Sequence, residues 1–367
     1  MKKRLVLVIP TMDQGGAEKQ LALLAENLPR DEFDVHVCLL TRDGPRSESL
    51  RRAGVPITVI GKRFKADPTA LFRLKRVLTS LAPDIVHTWL FAANSFGRAA
   101  ALMAKTPVII GSERCVDPWK SWWHFSIDRF LSRRSAAITT NSPGIREFYA
   151  QHGIQSELFR VICNGIPSPA VSPISRQEAL ERLGVSLDRK LVIAVGRLWP
   201  QKRYRDLIWA AELLAGARDD TTLIVVGDGP QKTELLRFRD SVTIPKHVGF
   251  VGAREDVAQI LPHADLFWIG SEYEGQSNAV IEAMQAGVPV IASDIAGNRD
   301  LVVEDQTGRL VPLGDRAAFA RESMDLLENP SVAQRLATAA KQRIAEKFSV
   351  DRMVRKHVDV YRELAGR

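Results

Sequence analysis

Ala264-Asp-Leu-Phe-Trp-Ile-Gly270-Ser-Glu-Tyr-Glu274-Gly-Gln-Ser-Asn-Ala-Val-Ile-Glu282-Ala-Met-Gln-Ala-Gly287-Val-Pro-Val-Ile-Ala292 reads as strand, loop, helix, strand. The largely apolar run Ala264 to Gly270 is a strand ending. Glu274 and Gly275 follow in a loop, Ser277 or Asn278 caps a short helix from Ala279 to Ala286, and Gly287 fits its stop. Val288 to Ala292 is the next buried strand. Glu274 lies just before the helix N-terminus and Glu282 about one turn inside it. A helix N-terminus is a ready anion site. Acids placed around a phosphate cradle make sense when they hold sugar hydroxyls, so the combination points to a nucleotide-sugar pocket.

The same alternation runs outward in both directions. Leu5–Ile9, Val35–Leu40, Ile57–Ile60, Ile85–Thr88, Val108–Ser112 and Ala136–Asn141 read as strands with helical stretches between them. Ser168-Pro-Ala-Val-Ser-Pro173 reads as a linker. Leu191–Val195, Thr222–Val226, Val248–Phe250, Leu266–Ile269 and Val288–Ala292 then restart the pattern. Alternation of this kind predicts α/β architecture, with parallel sheets covered by helices on both faces. Two tandem sheets predict two doubly wound, Rossmann-like domains, residues 1–170 and 171–349, facing across a cleft. Val332 to Leu364 is helical, with a break expected near Phe348-Ser349.

Further phosphate chemistry follows the strands. Val195-Gly196-Arg197-Leu-Trp-Pro-Gln-Lys202 offers a planar guanidinium fork and a compact ammonium, enough to neutralise a diphosphate without a metal. Standing alone, an Arg and a Lys after a strand would be surface residues; the glutamate pair downstream favours the functional reading. Gly227-Asp-Gly229 suits close approach of backbone to a base or ribose, or is an ordinary turn. Gly15-Gly16 joins the first strand to the first helix and permits close approach to a ligand. It lacks the spacing of a dinucleotide-binding turn, and no P-loop occurs, so a dehydrogenase and a P-loop NTPase are poor readings.

Composition bounds the rest. A chain of 367 residues, 45% of them hydrophobic, has material for two cores. The apolar run Leu5 to Ile9 is too short for a secretory signal, and no stretch approaches the roughly 20 apolar residues of a spanning helix. Cys38, Cys115 and Cys163 are scattered, which fits a reducing cytoplasm. No Cys/His spacing looks like a metal site. Residues 1–170 hold 24 Lys and Arg against 15 Asp and Glu, an excess of nine; the remainder hold 27 against 28. A basic half can face nucleic acid, an anionic membrane or a phosphorylated substrate, or simply aid solubility.

One basic segment is also aromatic. Asp117-Pro-Trp119-Lys-Ser-Trp122-Trp123-His-Phe125-Ser-Ile-Asp-Arg129-Phe130-Leu-Ser-Arg133-Arg134 carries too many aromatics for one narrow helical stripe. Such a helix can lie on an anionic membrane through Trp119, Trp122, Trp123, Arg129, Arg133 and Arg134. In the plain alternative, half of the aromatics pack into the N-terminal core.

Taken together, Gly15-Gly16, Gly196-Arg197-Leu198 with Lys202, Gly227-Asp-Gly229, Glu274-x7-Glu282 and Glu282-Ala-Met-Gln-Ala-Gly-Val-Pro-Val resemble family 4 of the retaining glycosyltransferases. Asp84-Ile-Val-His87 and Val161-Ile-Cys-Asn164-Gly165-Ile166 add to the resemblance, which covers nearly the whole chain. It implies the GT-B architecture, with the donor bound mainly by the C-terminal domain and the acceptor mainly by the N-terminal one. A C-terminal helix, about 350–367, is implied to cross back to the first domain. Arg197 and Lys202 would hold the donor diphosphate, Glu282 the nucleotide ribose and Glu274 the transferred sugar. Gly275, Gln276, Ser277 and Asn278 complete the donor loop, and Gly16 would approach the donor phosphate from the opposite domain. The departure is at Trp89. Many relatives read His-x-His here, and the second His contacts the reacting sugar; this chain reads His87-Thr-Trp89. His87 is the remaining candidate for that contact, with a buried strand-end histidine as the plain alternative.

The expected activity is metal-independent retaining transfer from a nucleoside diphosphate sugar, UDP- or GDP-linked first, to a glycan or lipid-linked acceptor. No cofactor is expected, and nucleic acid is not an expected partner. Retention without an evident nucleophile favours front-face attack, with the departing phosphate taking the acceptor proton. The expected location is cytoplasmic, peripheral on the inner membrane face. Two other classes stay open: a non-catalytic nucleotide-sugar-binding protein, and another GT-B enzyme such as a sugar-nucleotide epimerase or a phosphorylase. Glu274 and Glu282 beside Arg197 and Lys202 disfavour the epimerase, and no lysine stands out as a pyridoxal-phosphate anchor. Donor hydrolysis separates binder from enzyme.

Overall fold

A computed structural model of the chain describes residues 2–168 and 174–366. The predicted linker core, residues 169–173, lies outside the described residues. The chain forms two compact units: Met1–Gly165 with Ser349–Arg367, and Ile166–Phe348.

The first unit is built on seven parallel strands: β1 (Lys3–Ile9), β2 (Phe33–Leu39), β3 (Ile57–Val59), β4 (Ile85–Trp89), β5 (Val108–Glu113), β6 (Ala137–Thr140) and β7 (Phe159–Val161). Their order is β3-β2-β1-β4-β5-β6-β7. Successive residues of β1 serve opposite faces. Leu5, Leu7 and Ile9 join one apolar cluster, while Val6 and Val8 join another. The sheet is therefore buried on both sides, as continuous apolar strands require. Burying one such side chain stabilises by roughly 1.5–3 kcal/mol.

The second unit repeats the plan with β8 (Lys190–Val195), β9 (Thr221–Val226), β10 (Val248–Phe250), β11 (Leu266–Ile269), β12 (Val290–Ser293) and β13 (Arg309–Val311). Its order is β10-β9-β8-β11-β12-β13, all parallel. Both sheets reverse direction of strand order once, between β1 and β4 and between β8 and β11. In open α/β sheets, ligands bind outside the carboxyl ends of the strands at such points.

All eleven strands expected from the sequence are present, with shifts of one or two residues at the ends. The last of them starts at Val290 rather than Val288; Pro289 has no N–H to give the ladder, although its carbonyl accepts from Phe267 at 2.9 Å. β7 and β13 were not expected: each is three residues long and sits at a sheet edge. The C-terminal helical stretch breaks where expected, into Pro330–Lys347 and Val350–Ala365. Ser349 adopts an extended conformation and its hydroxyl accepts from the Arg352 N–H at 3.2 Å, capping the second piece. That last helix packs Met353, Val354, Val358, Tyr361 and Leu364 into the core of the first unit.

Candidate functional site

The loops leaving β8 and β11 bring the second unit's motifs together. Arg197 follows β8 at the sheet's reversal point. Its guanidinium is exposed, lies 5.4 Å from the Trp199 ring, and makes no ion pair among the described residues. The short turn Pro200–Lys202 then feeds the helix Tyr204–Ala217 through Arg203, whose φ of 51° is left-handed. Such a conformation costs a non-glycine residue of order 1 kcal/mol, so the surrounding loop fixes it. The preceding Lys202 forms an ion pair with Glu274. Ser271 donates to the same Glu274 oxygen at 2.8 Å. Both charged side chains are mostly buried. Two residues expected to hold different parts of a ligand thus neutralise each other.

The loops are set close by backbone packing. Gly227 has φ of 147°, and a Cβ there would overlap the carbonyl oxygen of Gly196; one on Gly229 would sit 2.6 Å from the carbonyl oxygen of Leu198. These glycines let the loop after β9 abut the loop after β8. That packing supplies a reason for them other than approach to a base or ribose. The hydroxyl of Tyr204 would meet a Cβ on Gly196 at 3.0 Å. Burial first, and then the Glu274 charge, push the Tyr204 phenol well above its ordinary range.

The glutamate loop is held from below. Ser293 donates to the carbonyl of Ser271 at 2.6 Å, and Asn298 donates to the Ser293 carbonyl at 2.9 Å. The helix after it spans Asn278–Ala286, with Ser277 at the cap position and left-handed Gly287 ending it. The Ser277 side chain makes no capping bond, so the first-turn N–H groups are not closed by that hydroxyl. Glu282 is half-buried on this helix, and Gly275, Gln276 and Ser277 are buried at its start. Ser271, Tyr204, Ser293 and Asn298 were not expected. Only the position of Ser271 and Ser293 at strand ends could have signalled them.

Sequence profiles match both units. The family "Glycosyl transferases group 1" matches residues 175–343, and "Glycosyltransferase Family 4" matches residues 14–168. The chain belongs to the group 1, family 4-type glycosyltransferases. Among its relatives is the Escherichia coli UDP-Gal:alpha-D-GlcNAc-diphosphoundecaprenol alpha-1,3-galactosyltransferase, 26% identical over 92% of this chain and 90% of that one. Another is the alpha-maltose-1-phosphate synthase of Mycolicibacterium smegmatis, 26% identical over 96% of each. HepE from Anabaena, solved in complex with UDP-glucose, superimposes with a TM-score of 0.89 at 24% identity, over 98% of this chain and 99% of that one. This likeness establishes the GT-B fold of the glycosyltransferase.

In the first unit of the glycosyltransferase, Gly15 occupies the cap position of the helix Gly16–Asn27, at the end of the loop that follows β1. His87 corrects the expectation. It is fully buried, with Nδ1 2.8 Å from the Tyr361 hydroxyl and Nε2 3.0 Å from the Thr139 hydroxyl. Burial holds the imidazole well below its ordinary range, helped by the charges of His357 and Arg114. A neutral ring with both nitrogens engaged is a core residue and offers no contact to a reacting sugar. Trp89 is also fully buried, with the Arg114 guanidinium 4.7 Å from its ring. The position that carries the second His in many relatives here carries packing.

The aromatic segment forms the helix Trp122–Ser132, capped reciprocally by Ser121 and His124. Trp122 is 79% exposed, and Trp119, Trp123 and Phe130 are each about half exposed. Phe125 alone of the five packs inside. Of the arginines, Arg129 turns inward to the His152 carbonyl at 3.1 Å and the Ser126 hydroxyl at 2.9 Å. Arg133 and Arg134 remain exposed, Arg134 over the Phe130 ring at 3.8 Å. Beneath them Lys120 is buried, 2.9 Å from Asp128, 3.3 Å from Asp117 and 3.7 Å from Glu113. Arg98 pairs with Asp128 at 2.9 Å. No helix among the described residues is long and apolar enough to cross a membrane.

Proposed function

We propose that this glycosyltransferase is a retaining hexosyltransferase that moves a sugar from a nucleoside diphosphate donor, UDP- or GDP-linked, to a glycan or lipid-linked acceptor. The observation that carries the reading is the convergence of Arg197, Lys202, Glu274 and the start of the Asn278–Ala286 helix at the reversal point of the second sheet. The names of the two curated relatives, one of which acts on a diphosphoundecaprenol-linked sugar, support the substrate classes.

Arg197 and the helix N-terminus take the diphosphate, and Lys202 exchanges Glu274 for it when the donor arrives. Glu274, released, accepts from hydroxyls of the transferred sugar. Glu282 accepts from the ribose. As the glycosidic bond lengthens, charge gathers on the leaving phosphate, and fixed cations and N–H groups stabilise it there. The acceptor attacks from the leaving group's side, and the phosphate takes its proton. No side-chain base is required, which suits a chain with Trp89 where many relatives have a His. Exposed aromatics on the Trp122–Ser132 helix support peripheral contact with the cytoplasmic face of a membrane.

The diphosphate charge is met by Arg197 and Lys202 rather than by a metal. Transfer should therefore persist in excess EDTA. Loss of turnover on chelation, restored by Mg²⁺ or Mn²⁺, contradicts this assignment. Calorimetry separates the two glutamates. Glu282→Gln should weaken free nucleoside diphosphate by roughly 1.5–3 kcal/mol, one or two charge-assisted bonds. Glu274→Gln should spare the free nucleotide and impair the sugar-bearing donor. Wild-type affinity for free nucleotide in both variants removes Glu282 from the ribose.

A further inference from the structure

Gly61-Lys-Arg-Phe-Lys65, the turn after β3, joins none of the motifs above. It is pinned at its start and at Arg63. Arg73 donates to the carbonyls of Ile60 at 2.9 Å and Gly61 at 2.8 Å. Asp67, itself buried, accepts from the backbone N–H of Arg63 at 3.0 Å and of Ala70 at 3.2 Å. A turn held in this way presents its tip without paying much ordering entropy on contact. Phe64 at that tip is 58% exposed, with Arg63 and Lys65 exposed on either side.

The turn and the aromatic segment both pack on the helix Phe91–Met103. Lys62 lies 5.1 Å from the ring of Phe96 on the helix Phe91–Met103. At the start of that helix, Phe91 packs edge-on against Trp119 at 5.4 Å and His124 at 5.1 Å. Lys65 is close enough for its charge to reach His124, whose imidazole is lowered first by burial and then by Lys120. The acids nearest these cations are themselves engaged: Asp67, whose charge acts on Lys62, also pairs with Arg73 at 3.5 Å. Asp67 is buried, and Asp117 is engaged by the Tyr149 hydroxyl at 2.9 Å and by Lys120.

We propose that the Lys62–Lys65 turn and the Trp119–Trp123 segment form one two-part docking surface for an anionic lipid bilayer. This rests on the membrane reading above and adds a second anchor to it. Phe64, Trp119, Trp122 and Trp123 sit at headgroup depth, where amphipathic rings are favoured. Arg63 and Lys65 face the anionic headgroups, each strengthening attachment by a factor of roughly five at a charged surface. Two anchors on separate elements also fix the orientation of the first unit on the bilayer, which one helix lying in the interface does not.

The test is co-sedimentation of the full chain with vesicles of phosphatidylglycerol and phosphatidylcholine, and with phosphatidylcholine alone. The triple variant Arg63→Ser/Phe64→Ser/Lys65→Ser alters only exposed side chains, and unchanged melting checks its fold. It should partition onto anionic vesicles at least tenfold more weakly than the wild type, with a shallower dependence on salt. Trp122→Ser/Trp123→Ser should show a comparable loss. If the triple variant binds like the wild type while the tryptophan variant does not, the turn is no anchor and the single-helix reading survives alone. If the wild type binds neither vesicle even at low salt, both fall. Equal binding to neutral and anionic vesicles also overturns the proposal, as does a wild-type dimer in ultracentrifugation that the triple variant dissociates.

Discussion

Lys202→Ala is expected to lower kcat/KM by roughly 10²–10³, the effect of removing one preorganised group that stabilises leaving-group charge. The loss has two sources. The diphosphate forfeits an ammonium, and Glu274 is left facing it without the cation that now neutralises it. Glu274 keeps only the Ser271 hydroxyl among its two charged or polar partners described above. Adding Glu274→Gln to Lys202→Ala should therefore cost less than the sum of the two single changes, because the pair acts as a unit. Steady-state kinetics on the four variants of the cycle read this directly. A Lys202→Ala enzyme within threefold of wild type, or strict additivity, contradicts the exchange of Glu274 for diphosphate at Lys202.

Lys120→Met is expected to destabilise the protein by roughly 3–5 kcal/mol, the usual cost of breaking a buried ion pair from one side. Lys120 is enclosed with Glu113, Asp117 and Asp128, and only Arg98 would remain to face three carboxylates. The loss should depend on pH. Burial pushes the Glu113 carboxyl up to about 7, against the pull of Lys120. A carboxyl raised in the folded state holds its proton more tightly there than in the unfolded chain. Stability from this group is full below its ordinary value near 4.5 and falls as pH rises toward 7. Removing Lys120 raises Glu113 further, so the variant should suffer more at pH 8 than at pH 5. Denaturant unfolding at the two pH values measures it. A loss below about 1 kcal/mol at both would show that the network is not a source of stability.

The strands were legible because each is an apolar run bounded by turn residues. β7 and β13 were not: Phe159-Arg-Val161 and Arg309-Leu-Val311 are too short to show a period, and each carries an arginine. The site was legible where its chemistry is local. Arg197 and Lys202 follow one strand, and Glu274 and Glu282 frame one helix. What joins distant segments was not. Lys202 and Glu274 are 72 positions apart, and nothing local announces that they pair. The fate of His87 depends on Tyr361, 274 positions away on a helix that packs into the first unit's core. A strand-end histidine reads the same whether a ligand or a tyrosine meets it. The exposure of the aromatic helix could not be read either, since Lys120, a residue usually at the surface, is the one turned inward.

The most direct test of nucleotide-sugar-dependent transfer is to incubate the purified chain with a panel of UDP-, GDP- and ADP-sugars, following melting temperature and release of the nucleoside diphosphate. At least one donor should raise the melting temperature progressively as its concentration exceeds its Kd and release its diphosphate by slow hydrolysis, faster when an acceptor is added. A donor that raises the melting temperature but is never cleaved would make the chain a binding protein. No shift and no release across the panel would contradict the assignment of Arg197, Lys202, Glu274 and Glu282 to a donor site.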